Sequence, residues 1–205
     1  MHDNKDTIVL IQGWWITPSF RTTMKLKSLH HDLSATGRAK ALMLLNQQLA
    51  DALDLRLQAK QAHWNVTGAH FISLHELFDT VASAIDEFTD VIAERAAQLG
   101  GVAGGTLQII AQKSRLPAYP IEAHRGSDHV VALANALGHY ATSVRAAAGV
   151  AEMTGDMNTA DIFTQVSRAT DSLLWKVGSH LGDAWDRPRT ASPKGNAFAA
   201  ESLGY

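Results

Sequence analysis

Two pairs of possible metal ligands lie on one stretch of the chain that is otherwise typical of a buried helix. His75 and Asp79 form the first pair, and Asp90 and Glu94 form the second. At about 100° per residue, an α-helix would place all four side chains on one narrow face. Side chains four residues apart on a helix are neighbours that can bind one ion together. The pattern therefore indicates metal binding by imidazole and carboxylate groups.

The two pairs are too far apart to share one ion within a single chain. Fifteen residues separate Asp79 from Glu94, which is about 22 Å along a helix, whereas a metal–ligand bond is about 2 Å long. Two copies of this helix, packed antiparallel about a twofold axis, would solve the problem. Each of two identical sites would then combine residues of both chains: His63, His75 and Asp79 from one, and Asp90 and Glu94 from its twin. His63 would join because the preceding helix ends beside the start of this one.

The residue types narrow the choice of metal and reaction. Imidazole and carboxylate ligands suit Fe(II) or Mn(II), and zinc less exclusively. The chain has no cysteine, which excludes thiolate metal sites, disulfides and thiol catalysis. Carboxylates also remain good ligands when Fe(II) becomes the harder Fe(III). The set therefore suits oxidation of the bound metal as well as its storage.

A purely structural interpretation of these residues stays open at this point. Paired charges four residues apart are also common on solvated helix faces. His70 lies about 140° from His75 around the helix, away from the proposed face, and is expected in a loop or cap. Trp64 suits packing, although an indole beside an oxidising centre could also donate an electron. Asp86 and Glu87 are expected to be solvated surface charges.

Four long helical patterns carry these residues. Apolar residues recur every three or four positions from Leu42 to Leu57, the spacing of a helix with one buried face. Three glycines and two prolines between residues 101 and 122 predict a long crossover loop, with a short helix at 107–112. Two helical hairpins joined by one long connection describe an all-α fold, a ferritin-like four-helix bundle. The first three long helices are expected at about 38–66, 71–99 and 127–153. The fourth is expected to begin between 156 and 159 and to end at about 181 or 185.

Length and composition describe one globular domain with two extensions. The 205 residues are 46% apolar and 19% charged, ordinary values for a globular protein. We expect the bundle at 36–183, a flexible N-terminal extension at 1–35 and a flexible C-terminal tail at 184–205. Residues 1–23 precede a second methionine and are expected to be an upstream extension. The alternative is a genuine but weakly ordered arm.

The sequence contains no convincing targeting segment. The apolar run at 8–16 has nine residues, too few to span a bilayer. The residues before it carry two acids and one lysine, unlike the start of a signal peptide. The formal net charge is −2, so no overall positive field attracts nucleic acid. We therefore expect a cytoplasmic protein and leave association with the nucleoid open.

Three segments resemble the Dps family, the DNA-protecting miniferritins of starved bacteria. They are KQAHWNVTGAHFISLHELFD at 60–79, DVIAERAAQLGG at 90–101 and TADIFTQVSRATDSLLWKV at 159–177. The resemblance extends over residues 36–182. It implies a hollow shell of twelve subunits, a dodecamer built from twofold dimers, in which iron (Fe2+/Fe3+) is the metal.

The same resemblance implies a ferroxidase site at the dimer interface. Its ligand positions are occupied without substitution by His63, His75, Asp79, Asp90 and Glu94, and Trp64 matches an auxiliary tryptophan beside the site. A protein of this kind is an oxidoreductase that oxidises Fe(II) with hydrogen peroxide, or with O2, and stores ferric mineral in its shell. Because this chemistry consumes both Fenton reagents, it protects DNA from oxidative damage.

The resemblance also implies an acidic pore through which iron enters, near the turn between the last two long helices. Glu152, Asp156 and Asp161 are the candidates there. Rings of such residues would concentrate cations. However, Asp156 is also a natural N-cap, and acids are favoured in the first turn of any helix.

Some relatives bind DNA through a lysine-rich N-terminal arm, and a weak version of that arm is present here. Lys5, Arg21, Lys25 and Lys27 outnumber two acids within residues 1–31. Many copies of a weak arm could bind DNA through summed phosphate contacts. The alternative function is therefore a nucleoid-associated protein that compacts DNA and has a secondary metal site. A third hypothesis is a structural bundle whose charges only solvate its surface.

Overall fold

Four long helices and one short helix follow one another in the predicted order. The computed structural model describes residues 7–11, 22–27 and 32–182. The long helices are α1 (Ala35–Asn65), α2 (Phe71–Gln98), α4 (Gly126–Met153) and α5 (Met157–Gly178), and the short helix α3 (Leu107–Lys113) lies in the crossover. α1 packs along α2, α4 packs along α5, and α1 also packs against α4. This arrangement is the predicted four-helix bundle.

One continuous core joins the four long helices. Leu45 and Leu55 of α1, Phe78 of α2, Leu137 of α4 and Phe163 of α5 are all fully buried in it. Burial of each such side chain contributes about 1.5–3 kcal/mol. This packing, more than intrinsic helix propensity, fixes the positions of the helices that carry the candidate ligands.

Polar side chains of α1 hold the crossover in place. Asp51 is 1% exposed and accepts hydrogen bonds from the backbone N–H of Arg115 at 2.9 Å and from its Nη2 at 2.6 Å. Further along α1, Gln58 donates to the carbonyl oxygen of Pro117 at 3.1 Å. The buried carboxylate thus satisfies backbone and side-chain donors of the crossover, as a buried polar group must.

Two short strands precede the bundle, where the sequence analysis expected a flexible extension. β1 (Thr7–Ile11) pairs antiparallel with β2 (Thr22–Leu26). The aliphatic and β-branched residues of these segments favour extended backbone. Leu26 is 1% exposed, and the N–H of Lys27 donates to the carbonyl oxygen of Gly100 at 3.0 Å. The end of β2 is therefore docked at the end of α2.

The expected C-terminal tail, residues 184–205, lies outside the described part of the chain. Among the helices that the structure describes, none combines the length and apolar composition that crossing a bilayer requires.

A buried ion pair joins α2 to the start of α5. Nη2 of Arg95 lies 2.8 Å from Oδ1 of Asp156, and both side chains are almost fully buried. Asp156 is also the N-cap of α5, since the N–H of Thr159 donates to its Oδ1 at 3.1 Å and the hydroxyl donates to its Oδ2 at 2.6 Å. Burial acts most strongly on this carboxyl and raises its pKa, but the hydrogen bonds from Thr159 and Arg95 together outweigh burial and lower the pKa. The fold thus stabilises the charged form of Asp156.

Replacing Asp156 by Asn should lower the free energy of unfolding by about 3–5 kcal/mol at neutral pH, because Arg95 would keep a buried charge without its partner. Urea denaturation measures this loss. Since folding lowers the pKa of Asp156, its contribution is present above the ordinary aspartate pKa of about 4 and disappears as the pH falls through the lower, folded value. The difference between Asp156→Asn and the parent should therefore shrink on acidification.

Asp161→Asn is the matched control, because Asp161 lies on the same helix with an exposed side chain. Its effect on the free energy of unfolding should stay within about 0.5 kcal/mol. If Asp156→Asn is as stable as the parent, or if its deficit grows at acid pH, the buried ion pair does not have the role assigned to it.

Candidate metal centre

His63 and His75 meet where α1 ends and α2 begins. Their rings stack with centroids 3.7 Å apart and planes inclined by 23°. Nδ1 of His63 lies 2.9 Å from the backbone carbonyl oxygen of His75, and Nδ1 of His75 lies 2.8 Å from that of His63. The fold therefore brings together two candidate ligands that come from different helices.

This reciprocal pairing determines which ring nitrogen is available to a metal. A carbonyl oxygen only accepts hydrogen bonds, so each Nδ1 carries a hydrogen, and in the neutral form of each ring the lone pair is on Nε2. Metal-binding histidines commonly donate their other ring N–H to a carbonyl or carboxylate oxygen, which fixes the tautomer and the orientation of the ring. Both histidines meet this condition through the backbone alone. Both are also only half-buried, so that a second molecule can reach them.

Asp79 lies one turn further along α2, next to a cation. Nζ of Lys60 lies 2.7 Å from Oδ1 of Asp79. The hydrogen bond from Lys60 is the main reason that the pKa of Asp79 is lowered; it outweighs burial, and the charges of Lys60, His63 and His75 act in the same direction. A metal ion that binds Asp79 must therefore displace or accommodate the ammonium group.

Asp90 and Glu94 lie on α2 towards its opposite end, and both are exposed. Within the described residues of one chain, no three His, Asp or Glu side chains come together in a group that could hold a metal ion. This holds also for His63, His75 and Asp79, the three ligands that the sequence analysis assigned to one chain.

Large apolar side chains surround the histidine pair and face outward. Trp64 and Ile72 are 64% and 63% exposed, and Phe71 is 39% exposed. The ring of Phe71 lies 5.0 Å from that of His75. Exposed aromatic and aliphatic groups clustered beside polar ones are typical of a surface that contacts another protein. The candidate ligands therefore lie on a surface suited to a second chain.

The three candidate pore residues lie in different environments. Glu152 and Asp161 are exposed on either side of the α4–α5 turn. Asp156 is 2% exposed, and both of its carboxylate oxygens accept hydrogen bonds from within the chain. Its role as an N-cap, which the sequence analysis left open, accounts for Asp156 fully. A role in iron entry stays a prediction, now better suited to Glu152 and Asp161.

Two of the four candidate DNA contacts, Lys5 and Arg21, lie outside the described residues. Lys25 lies in β2 opposite Ile8. Lys27 is exposed, and its carbonyl oxygen accepts a hydrogen bond from Arg38 at 3.2 Å. Lys27 is thus presented from the surface of the bundle.

Sequence reasoning missed Lys60 as part of the candidate site. Lys60 lies three residues before His63 on α1, and residues three apart share a helix face. That spacing could have identified it as a neighbour of the candidate ligands, although not its ion pair with Asp79.

The four-helix bundle places the chain in the ferritin-like class. The family model described as the ferritin-like domain matches residues 42–184. The DNA protection during starvation protein of Agrobacterium fabrum is 41% identical over 158 residues, which are 77% of this chain and 98% of that protein. Similarity of this degree, over almost the whole of the relative, confirms the family that the sequence predicted. The chain belongs to the Dps family of ferritin-like proteins.

Solved structures agree with this assignment. DpsC from Streptomyces coelicolor superposes with a TM-score of 0.74 at 31% identity, covering 77% of this chain and 92% of that one. Dps from Microbacterium arborescens, solved in the high iron form, superposes with a TM-score of 0.68 at 27% identity, covering 72% of this chain and 96% of that one. The predicted all-α, ferritin-like fold is confirmed. Membership of the family supports iron storage and DNA protection as the general function.

Removing the ammonium group beside Asp79 should strengthen the binding of divalent metals. We expect Lys60→Met to bind Co(II), a stand-in for Fe(II), about threefold to tenfold more tightly, the size of effect that a partly exposed charge produces. Isothermal titration of the assembled protein measures this affinity. The gain should diminish at high ionic strength, because salt screens the charge.

Arg56→Met is the matched control for this substitution. Arg56 forms an ion pair between the same two helices, with Nε 2.7 Å from Oδ1 of Asp86, but it contacts no candidate ligand. The Arg56→Met substitution should therefore leave the affinity for Co(II) unchanged. Equal effects of the two substitutions, or weaker binding by Lys60→Met, would show that Lys60 does not compete for the carboxylate.

Proposed function

We propose that the protein oxidises Fe(II) with hydrogen peroxide, or with O2, at sites shared between two chains, and stores ferric mineral within a homo-oligomeric shell. Iron is both the substrate and the stored cargo. Each site would combine ligands from both chains: His63, His75 and Asp79 from one, and Asp90 and Glu94 from the other. Consumption of Fe(II) and peroxide in the cytoplasm would protect DNA, in accord with the name of the Agrobacterium relative.

The reciprocal hydrogen bonds of His63 and His75 are the observation that carries this proposal. They assign the hydrogen to Nδ1 of each ring, so that in the neutral form the lone pair of each of two adjacent, half-buried imidazoles is on Nε2. The carboxylate of Asp79 lies one turn beyond His75 and would add a hard oxygen ligand that retains Fe(III).

Exposure of Asp90 and Glu94 supports a site completed by a twin chain. The two carboxylates are about 22 Å or more from the histidine end of α2, by the rise of a helix. They therefore reach the histidines only if a second α2 runs antiparallel to the first. Trp64, exposed beside the histidines, would serve as an auxiliary electron donor. The exposed Glu152 and Asp161 would guide iron through a pore into a shell of twelve subunits.

Complementation between two inactive variants tests whether the site is shared. His63→Ala and Asp90→Ala should each abolish peroxide-dependent oxidation of Fe(II). In a mixed twofold dimer, one site would contain both substitutions and the other would contain neither. Coassembled particles should therefore regain about a quarter of the parental sites if the chains pair at random. Stopped-flow absorbance of ferric product measures the recovered burst.

Two controls make this result interpretable. Native mass spectrometry should find particles of about twelve subunits for the parent and both variants, so that lost activity is not lost assembly. Glu87→Ala, an exposed change on the same helix, should retain full activity. If the mixed particles are no more active than particles of either single variant, the site is not shared. If His63→Ala is fully active, the ligand assignment is wrong.

A second candidate function, direct binding of DNA, is favoured by the exposed Lys27 and by the relatives' name. Deletion of residues 1–31 would be an ambiguous test, because it also removes the buried Leu26. Replacement of Lys5, Arg21, Lys25 and Lys27 by Gln avoids this problem. If the N-terminal arm binds phosphate, this variant should lose gel retardation of DNA at low salt, with a shallower dependence of affinity on salt concentration.

A control with the same change of charge separates an arm from a general surface effect. It replaces Lys40, Lys113, Arg168 and Lys176 by Gln, all of which are exposed in the structure. If the first variant still retards DNA and the second does not, the DNA-binding surface lies on the bundle and not on the N-terminal arm. Parental protein that does not retard DNA at all would dispose of this function.

A further inference from the structure

A tyrosine and a histidine form a close pair that the candidate metal site does not use. The hydroxyl oxygen of Tyr119, in the crossover, lies 2.5 Å from Nδ1 of His129, in the first turn of α4. Their rings stack with centroids 6.2 Å apart and planes inclined by 24°. His129 is 1% exposed, and Tyr119 is half-buried. The pair is therefore largely shielded from water.

The protonation states of the pair follow from this burial. Burial raises the pKa of Tyr119 to about 12 and lowers the pKa of His129, so at neutral pH the phenol is protonated and the imidazole is neutral. The backbone of Asn65 raises the pKa of the same ring, but less than burial lowers it. Nε2 has no hydrogen-bond partner within the described residues. The phenol then donates to Nδ1, which has the lone pair, and the hydrogen of the imidazole is on Nε2.

This pair lies at the same end of the bundle as the candidate ligands. The hydroxyl of Thr67, in the turn between α1 and α2, donates to the carbonyl oxygen of His124 at 3.1 Å. A Cβ added at Gly126 would lie 2.7 Å from Cδ1 of Leu74, so the start of α4 packs directly on the start of α2. His129 is one turn into α4, and His63 and His75 flank the turn between α1 and α2.

We propose that Tyr119 is a redox-active tyrosine that supplies an electron during peroxide reduction, with His129 as the acceptor of its proton. This inference rests on the proposed function, because it addresses peroxide that meets a single Fe(II). Cleavage of the O–O bond of hydrogen peroxide needs two electrons, and one Fe(II) supplies only one. Tyr119 supplies the second, so that hydroxyl radical is not released.

The step balances in atoms and charge. Fe(II), hydrogen peroxide and the phenol–imidazole pair give Fe(III), two hydroxide ions, a neutral tyrosyl radical and an imidazolium. The O–O bond breaks, Fe(II) and the phenol are each oxidised by one electron, and the phenolic proton moves from oxygen to Nδ1 of His129. Loss of the proton matters because a phenol that keeps it is far harder to oxidise.

Tyr140 provides an internal comparison. It is fully buried in the core, and its hydroxyl has no hydrogen-bond partner within the described residues. The charge of Asp51 acts on this phenol, but within the described residues no base is hydrogen-bonded to it and ready to accept its proton on oxidation. Of the two tyrosines that the structure describes, only Tyr119 has the arrangement needed for coupled loss of an electron and a proton.

The first experiment needs no iron. The full-length assembled protein is mixed with a ruthenium polypyridyl photo-oxidant and flashed, and the tyrosyl radical is followed by transient absorption and electron paramagnetic resonance. We expect a radical in the parent and in Tyr140→Phe, and loss of most of it in Tyr119→Phe. Formation in the parent should slow in D2O, because a proton moves with the electron. An undiminished radical in Tyr119→Phe, or no solvent isotope effect in the parent, would overturn the assignment.

His129→Gln tests the acceptor directly, with particle size as a check on its assembly. It should slow radical formation and abolish the isotope effect, and an unchanged rate and isotope effect would overturn the role of His129. If this variant does not assemble, the isotope effect in the parent still decides whether a proton leaves Tyr119 together with the electron.

In the second experiment, the protein receives less than one Fe(II) ion per site and an excess of hydrogen peroxide. Electron paramagnetic resonance of freeze-quenched samples and ferric absorbance are recorded together. The radical should appear in the parent and in Tyr140→Phe but not in Tyr119→Phe, which should instead release more hydroxyl radical to a spin trap. Rapid iron oxidation without a radical at Tyr119 would overturn this inference and leave the proposed function intact. Absence of iron oxidation would overturn the proposed function, and with it the role in peroxide reduction, while the flash experiment would still decide the redox character of Tyr119.

Discussion

The rigidity of α2 is the constraint on which the rest of the candidate site depends. A helix has a fixed rise per residue, so the backbone positions of His75 and Glu94 are about 28 Å apart, more than their side chains can bridge. Only other elements can complete a ligand set at either end. At the first end α1 supplies His63, which lies against His75. At the second end, the described part of the chain adds no group that could complete a metal site, and a twin chain is the proposed source.

Core packing determines the geometry of the histidine pair. Each imidazole hydrogen-bonds to the backbone of the other histidine, so the ring orientations depend on how closely α1 and α2 approach at their turn. The buried residues beside that turn, Ala62, Val66 and Leu74, set this approach. Side chains held by packing and by backbone hydrogen bonds lose little freedom on binding an ion, which is the usual requirement for a precise site.

Local periodicity explains what the sequence could predict. The ligand face of α2 follows from helical spacing, and the meeting of His63 with His75 follows from a short turn between two helices. Pairings across the fold had no such signal: Arg95 bonds with Asp156 over 61 positions, and Lys60 reaches Asp79 over 19. These contacts depend on how the helices pack, and that packing cannot be inferred from local patterns in a single sequence. The β1–β2 pair was missed because its apolar run is short and lies beside a long all-helical domain.

Electrostatics links assembly to metal binding in the proposed site. In the single chain, Lys60 balances the charge of Asp79, and Asp90 and Glu94 are exposed to solvent. Bringing the last two beside Asp79 would place three carboxylates around one ammonium group, and like charges at such distances repel. A divalent cation that binds only the completed site removes this repulsion. By linkage, the ion then stabilises the contact between chains by as much as that contact strengthens the binding of the ion.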